Sequence, residues 1–218
     1  MFAGTVERFE CAGGIALTSA IRKHGMTGSV EVGVRGLAGD ACHDPAHGGP
    51  NRALHVFAAE HYDAFESSGS GRLVPPGVGE NLLVRGHPDA DAHVGDVLRA
   101  GTALVQVTMP TERCRNPGLV AGVPTLLRWM IETLRTGYYL RVLAPGRVAP
   151  EDAFTLVSRP AGAWSVEALS RAMLHDAGDR ALLAEIASLP HLAPEWKQRL
   201  LVHQERRTHS TRTANRST

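Results

Sequence analysis

The sequence predicts a mostly β (α+β) fold: a β-barrel-like core with a few flanking helices and a small C-terminal three-helix appendage. Three observations predict it. Short apolar stretches separated by glycine turns recur through the first 157 residues. Helical periodicity interrupts them at just two places in that range. Beyond residue 160 the texture changes to short amphipathic segments, each with its own capping residue. The expected division is 1–160 for the barrel, 161–203 for the three-helix unit and 204–218 for a disordered basic tail.

Residues 28–34 alternate with period two and end at the turn Gly36-Leu37-Ala38-Gly39-Asp40. Residues 41–52 are a polar loop. Leu54, Phe57, Ala58, His61, Tyr62 and Phe65 fall at helical spacing, which predicts an amphipathic helix over 52–67. A flexible break at 67–71 and a second glycine-rich loop, Pro75–Asn81, precede short strands at Leu82–Val84, Val97–Ala100 and Ala103–Thr108. Leu126, Leu127, Met130, Ile131 and Leu134 share one face of a helix over about 125–136, with Gly137 as its stop. Strands follow at Tyr138–Leu143 and Ala153–Val157. In the appendage, Ser165 and Asp179 are placed as helix caps and Pro194 as a first-turn proline. Helices this short must pack on each other or on the barrel.

Composition narrows the function classes. At 218 residues the chain is long enough to bury a core without disulfide or metal staples. Hydrophobic residues are 43% and charged residues 21%, which excludes collagenous, coiled-coil and fully disordered chains. Aromatics are 5%, so the core is expected to be aliphatic. The net charge is +1, and Arg206, Arg207, Arg212 and Arg216 are gathered in the tail, so the folded part is not a nucleic-acid binder by charge. Cys11, Cys42 and Cys114 are odd in number and widely spaced, which fits a reducing compartment. No secretory signal pattern and no stretch near about 18 apolar residues is visible, so a soluble cytoplasmic protein is expected.

Four groups of residues carry candidate chemistry. Asp40, His43, Asp44, His47, His55 and His61 lie close in sequence and suit either a zinc or iron site or a hydrogen-bonded loop. His47-Gly48-Gly49-Pro50-Asn51-Arg52 reads as an anion site, with glycine amides, a helix N-terminus and the Arg52 cation converging on a phosphate. Cys114, set between Arg113 and Arg115 after a strand, has a context that favours the thiolate, a nucleophile and a soft metal ligand. Glu80 and Asn81 either hydrogen-bond a ligand or clamp their own loop.

Taken in order, Gly36–Asp40, His47–His55, His61-Tyr62, Gly79-Glu80-Asn81-Leu82, Val94-Gly95-Asp96 and Cys114 resemble a MOSC domain, the family related to the C-terminal domain of molybdenum cofactor sulfurase. The likeness covers about 20–157, and the helical tail resembles the unit appended to the YiiM-like branch. Where that family commonly carries an Asp-Lys pair, this chain has Asn51-Arg52, which keeps the positive charge as a planar fork. The resemblance implies a barrel that binds the molybdenum cofactor, with Cys114 as metal ligand. It implies a reductase of small N-hydroxylated substrates such as purines, drawing electrons from an external donor protein. Cofactor contacts are then expected from His47, Gly48, Gly49, Arg52, Asn81 and Arg113, and proton handling from His47, His55 or Glu80. The alternative is a non-enzymatic carrier of cofactor or sulfur with Cys114 as the sulfur-bearing residue. More distant alternatives are a metallohydrolase on the histidine loop and nucleic-acid binding by the tail.

Overall fold

The computed structural model describes residues 1–11, 13–111, 114–176 and 178–202. Arg113 and the tail from 204 onward lie outside the described residues, so the expectations placed on them are not taken further. The N-terminal part forms β1 (Phe2–Ala3), β2 (Glu7–Cys11), β3 (Ile15–Ser19), β4 (His24–Gly25), β5 (Val30–Gly33) and β6 (Gly36–Leu37). Then come β7 (Leu54–Ala58), α1 (Ala59–Ser67), β8 (Leu82–Val84), β9 (Val97–Ala100) and β10 (Ala103–Pro110). They are followed by α2 (Asn116–Ala121), α3 (Leu126–Thr133), β11 (Tyr138–Ala144), β12 (Gly146–Val148) and β13 (Phe154–Ser158). The chain ends in α4 (Val166–Leu174), α5 (Arg180–Ser188) and α6, over 194–202.

The central element is a six-stranded sheet in the order β13-β9-β10-β11-β7-β8. Its pairs are antiparallel except β7 and β8, which run parallel because α1 and the following loop carry the chain across. Register shifts between Leu104 and Val105 and between Val107 and Met109 bend β10, the longest strand, and curl the sheet into a half-barrel. A three-stranded sheet, β12-β5-β6, and the hairpin β2-β3 stand beside it. The architecture is mostly β with flanking helices, as the sequence predicts.

Three local expectations are corrected. The helix expected over 52–67 begins only at Ala59. Leu54–Ala58 is a strand between β11 and β8, and all five of its residues are buried. A strand buried on both faces reads as a continuous apolar run, and its spacing merges with that of the helix behind it. The helix α2, directly after Cys114, was not expected, so among the described residues the barrel part has three α-helices rather than two. Finally, α3 ends at Leu134, which takes the left-handed conformation (φ 59°) while buried, three residues before Gly137.

Two cores follow from this layout. The larger joins Leu54, Val56, Leu98, Val105, Met109 and Leu140 of the sheet to Leu169, Leu183, Ile186, Trp196 and Leu200 of the appendage. The smaller collects Phe57, Tyr62, Phe65, Leu126, Trp129 and Met130 between β7, α1 and α3. Four of the eleven aromatics meet in this smaller core, with Phe65 and Trp129 edge to face at 5.0 Å. Ser165 and Asp179 cap α4 and α5 as expected, accepting hydrogen bonds from the amides of Ala168 and Leu182. Because the appendage shares the sheet's core, Leu183→Ala is expected to cost about 2–5 kcal/mol of unfolding free energy in one cooperative transition. Denaturant unfolding followed by both far-UV and near-UV signals checks this; a separate, earlier helical transition would show that the appendage stands apart.

Candidate functional site

A cleft of about 1050 Å³, including its open mouth, lies where β3, the 40–53 loop, β7, the 78–81 loop and the start of α2 meet. It is lined by Lys23, Arg35, Asp40, Cys42, His43, Asp44, His47, Gly48, Gly49, Arg52, His55, Asn81, Thr111, Cys114 and Tyr139, among others. Residues distant in sequence thus share one surface. Most of the residues singled out from the sequence are there: Cys114, His47, Gly48, Gly49, Arg52, His55 and Asn81.

Each is placed by local structure. Asp44 caps the short turn Pro45–His47 by accepting from the Ala46 amide. That turn sets His47 against Tyr139, with Nδ1 and Oη 3.2 Å apart. Gly48 approaches Cys42 so closely that a Cβ there would come within 2.9 Å of Sγ. Gly49 has φ 104°, a conformation that favours glycine. Pro50–Arg52 is a three-residue 3₁₀ turn that leads into β7, not into an α-helix. The helix-terminus contribution expected for this loop is therefore absent, and its positive character comes from Arg52. Cys114 is half-buried just ahead of α2, where the amide of Asn116 donates to its sulfur at 3.4 Å.

Three expected residues turn out to be framework. Asn81 lines the cleft, but its side-chain amide donates to Asp40 Oδ2 (2.7 Å) and the Phe2 carbonyl (3.3 Å). Its Oδ1 accepts from the His55 amide (3.0 Å). Glu80 does not line the cleft. It is fully buried, with Oε1 accepting from the Tyr62 hydroxyl (2.6 Å) and Oε2 from the Val78 amide (3.2 Å). Burial pushes its carboxyl up, against the Tyr62 hydrogen bond that holds it down. It clamps its loop. Burial likewise pushes the His55 imidazole down to about 3, with Lys23 adding to the effect. Its Nε2 is buried without a hydrogen-bond partner against Gly137.

The histidine cluster separates. His61 lies in the core, its Nε2 paired with Asp89, which also takes the amides of Thr136 and Gly137. No group of three His, Cys, Asp or Glu residues among the described residues is placed to hold a metal ion. The loop is held by hydrogen bonds and backbone geometry.

Lys23, Arg35, Thr111 and Tyr139 line the cleft as well and were not among the expected residues. Lys23 is held by Asp40 and is nearly buried. One signal for it was available: the chain uses arginine almost throughout, with Lys23 and Lys197 as its lysines. Thr111 and Tyr139 become visible only when β10 and β11 pair.

A curled half-barrel with a cation-lined, glycine-edged cleft and a cysteine at its rim is the class of protein this geometry defines. The chain belongs to the MOSC domain family, whose model matches residues 43–155. The model of the YiiM-like 3-alpha helix domain matches 164–201. The chain is 35% identical to the uncharacterized protein YflK of Bacillus subtilis over 160 residues, 73% of this chain and 72% of that one. It is 35% identical to YiiM of Escherichia coli over 145 residues, 65% of each. A Gibberella moniliformis protein named reductase is 32% identical over 192 residues, 86% of this chain but 34% of the fungal protein. The crystal structure of YiiM from Geobacillus stearothermophilus matches with a TM-score of 0.77 at 26% identity, covering 93% of this chain and 96% of that one.

Two predictions follow from the framework residues. The folded pKa of His55 lies below the ordinary value of 6.5, so between pH 6.5 and about 3 the unfolded chain binds a proton that the folded chain refuses. His55 thus contributes a loss of stability of about 1.4 kcal/mol per unit as pH falls through that window. Its ring resonances are expected to stay constant from about pH 8 to pH 5 in NMR, and a midpoint near 6.5 would show a solvated ring instead. Tyr62→Phe removes the donor to Glu80 and the acceptor of the Gly77 amide. It is expected to cost about 1–3 kcal/mol in denaturant unfolding.

Proposed function

We propose that the cleft binds the molybdenum cofactor and that the chain is a reductase of small N-hydroxylated substrates, fed by an external electron-donor protein. The observation that carries this reading is the convergence of Cys114, the Gly48-Gly49 edge and the cations Lys23, Arg35 and Arg52 on one cleft.

The donor set fits that group. A thiol is a soft ligand suited to molybdenum. Arg52 and the Gly49 edge, open where a side chain would stand, suit a pterin phosphate, since a planar guanidinium and a backbone amide both donate to phosphate oxygens. The Thr111 hydroxyl is buried at the cleft wall without a partner, a polar atom that a bound ligand would satisfy. When bound, the cofactor supplies a metal centre that accepts two electrons and takes oxygen from an N–O bond. The balanced reaction consumes two electrons and two protons, turns N–OH into N–H and releases water.

The chain's own residues position and deliver protons. Cys114 Sγ would hold the metal, and the Asn116 amide orients that sulfur. Arg52 and the glycine edge would bind the phosphate. His47 Nδ1, in contact with the Tyr139 hydroxyl, handles protons at the cleft wall. His55, kept neutral by burial, is the ring on which that wall rests rather than the proton donor. No helix among the described residues is long and apolar enough to cross a membrane, and a cytoplasmic location belongs to the same proposal.

The carrier reading has one observation of its own. A second thiol, Cys42, lines the same cleft and offers a place for sulfur to pass. Burial raises that thiol, Lys23 works against this, and Asp44 and Asp40 add to the rise.

The test is anaerobic purification from a host that makes the cofactor, with metal analysis and turnover of an N-hydroxylated base under an artificial electron donor. Near-stoichiometric molybdenum is expected in the wild type. In Cys114→Ser, turnover is expected to fall at least about tenfold, a loss of about 1.4 kcal/mol of transition-state stabilisation. Molybdenum and turnover unchanged in Cys114→Ser would overturn the assignment of the ligand. Sulfur carried on Cys114 with no turnover would favour the carrier.

A further inference from the structure

The cleft loop is tied from behind by the appendage. Glu195 lies in the first turn of α6, and the Asn51 side-chain amide reaches both of its carboxylate oxygens, at 3.3 and 3.1 Å. Arg52 Nη1 lies 3.9 Å from the same carboxylate, and the Arg52 side chain is almost buried while Glu195 is partly exposed. A second tie runs alongside. The Ala193 amide, at the residue before α6, donates to the Thr108 carbonyl at 3.1 Å. The Thr108 hydroxyl in turn sits 2.7 Å from the Asn51 carbonyl and 3.0 Å from that of Tyr139. Thus α6 is docked on β10 and holds both residues of the Asn51-Arg52 pair.

We infer that Glu195 is a positioning residue for the anion-binding edge of the cleft, so that the three-helix unit is a working part of the ligand site and not an independent appendage. The inference rests on the reading of Arg52 as an anion-binding residue. The physical reason is orientation. A long guanidinium side chain loses much rotamer freedom when it binds, and a fixed carboxylate behind the loop removes part of that cost before the ligand arrives. Asn51 is the lever. It sits in a three-residue turn joined to the preceding turn Pro45–His47 by two glycines, so its side-chain contact to Glu195 sets where the turn points. The charge of Glu195 is partly screened, so the hydrogen-bonded contact, not the ion pair, carries the effect.

The experiment uses the full chain without cofactor, and the probes are inorganic phosphate and pyrophosphate titrated by calorimetry. Wild type, Glu195→Ala, Glu195→Gln and Arg52→Gln are compared, with amide hydrogen exchange read at Gly49–Leu54. Glu195→Ala is expected to weaken phosphate binding by about three- to tenfold, the range of one lost hydrogen bond, and to speed exchange of the Arg52 amide. Glu195→Gln keeps an acceptor for Asn51 and is expected to stay within about twofold of wild type. Arg52→Gln should weaken binding at least as much as Glu195→Ala. Unchanged affinity and exchange in Glu195→Ala would overturn the positioning role while leaving the cleft reading intact. An equal loss in Gln and Ala would also overturn it, because the charge alone would then be responsible. No phosphate or pyrophosphate binding by wild type would overturn the anion reading itself, and with it any role of Glu195 in ligand binding.

Discussion

Asn81 is the residue on which the shape of the cleft depends. Its backbone exchanges hydrogen bonds with the His55 carbonyl and the Phe2 amide. Its side chain accepts from the His55 amide and donates to Asp40 and to the Phe2 carbonyl. Asp40 then takes the Gly4 amide and the Lys23 ammonium. Four stretches of chain, at 2–4, 23, 40 and 55, are therefore registered to one side chain with its donors satisfied. A buried polar network of this kind is stabilising only when complete, since each member left unpaired carries the full cost of its desolvation. The same network spends the charge of Asp40 on Lys23. The cleft wall keeps its cations close while its nearest carboxylate is occupied.

That arrangement leaves the proposed anion site independent of the net charge on the chain as a whole. The chain carries +1 overall, yet Lys23, Arg35 and Arg52 face one surface. Electrostatic focusing in a concave site depends on local placement and reduced screening rather than on totals. Burial adds selectivity. His55 is kept neutral, and Thr111 brings an unsatisfied hydroxyl to the wall. A ligand that supplies an acceptor for that hydroxyl gains more than one that fills the volume alone.

How much of this was legible in the sequence follows from the range of the interactions. Strands β8 and β9 and the caps Ser165 and Asp179 were legible because alternation and capping are local signals. Leu54–Ala58 was misread because burial on both faces erases the alternation that marks a strand. The His47–Arg52 loop stands out in the sequence by its glycines and arginine, but the turn geometry that replaces the expected helix start does not. Glu80 and Asn81 stood out as polar residues in a glycine loop. Their use as clamps was not visible, because Tyr62 and Asp40 are brought to them only by the fold. Lys23 and Tyr139 belong to no motif, and apart from the scarcity of lysine nothing local marks them, since their placement arises from strand pairing and a single long-range ion pair.

The appendage follows the same logic of shared constraint. Its apolar residues have no core of their own to fill; Leu169, Leu183, Ile186, Trp196 and Leu200 complete the one beneath β10. Helices of nine residues are marginal by themselves, so their stability is borrowed from the sheet. In return the sheet's central strand is held on its outer side: the Ala193 amide caps the Thr108 carbonyl, and the neighbouring threonine hydroxyl reaches the cleft loop. A perturbation of the helices therefore has a short route, through Thr108 and Asn51, to the residues that would meet a ligand. One strand, β10, forms the floor of the core and leads directly into the segment that carries Cys114, so stability and the proposed binding are expected to be coupled.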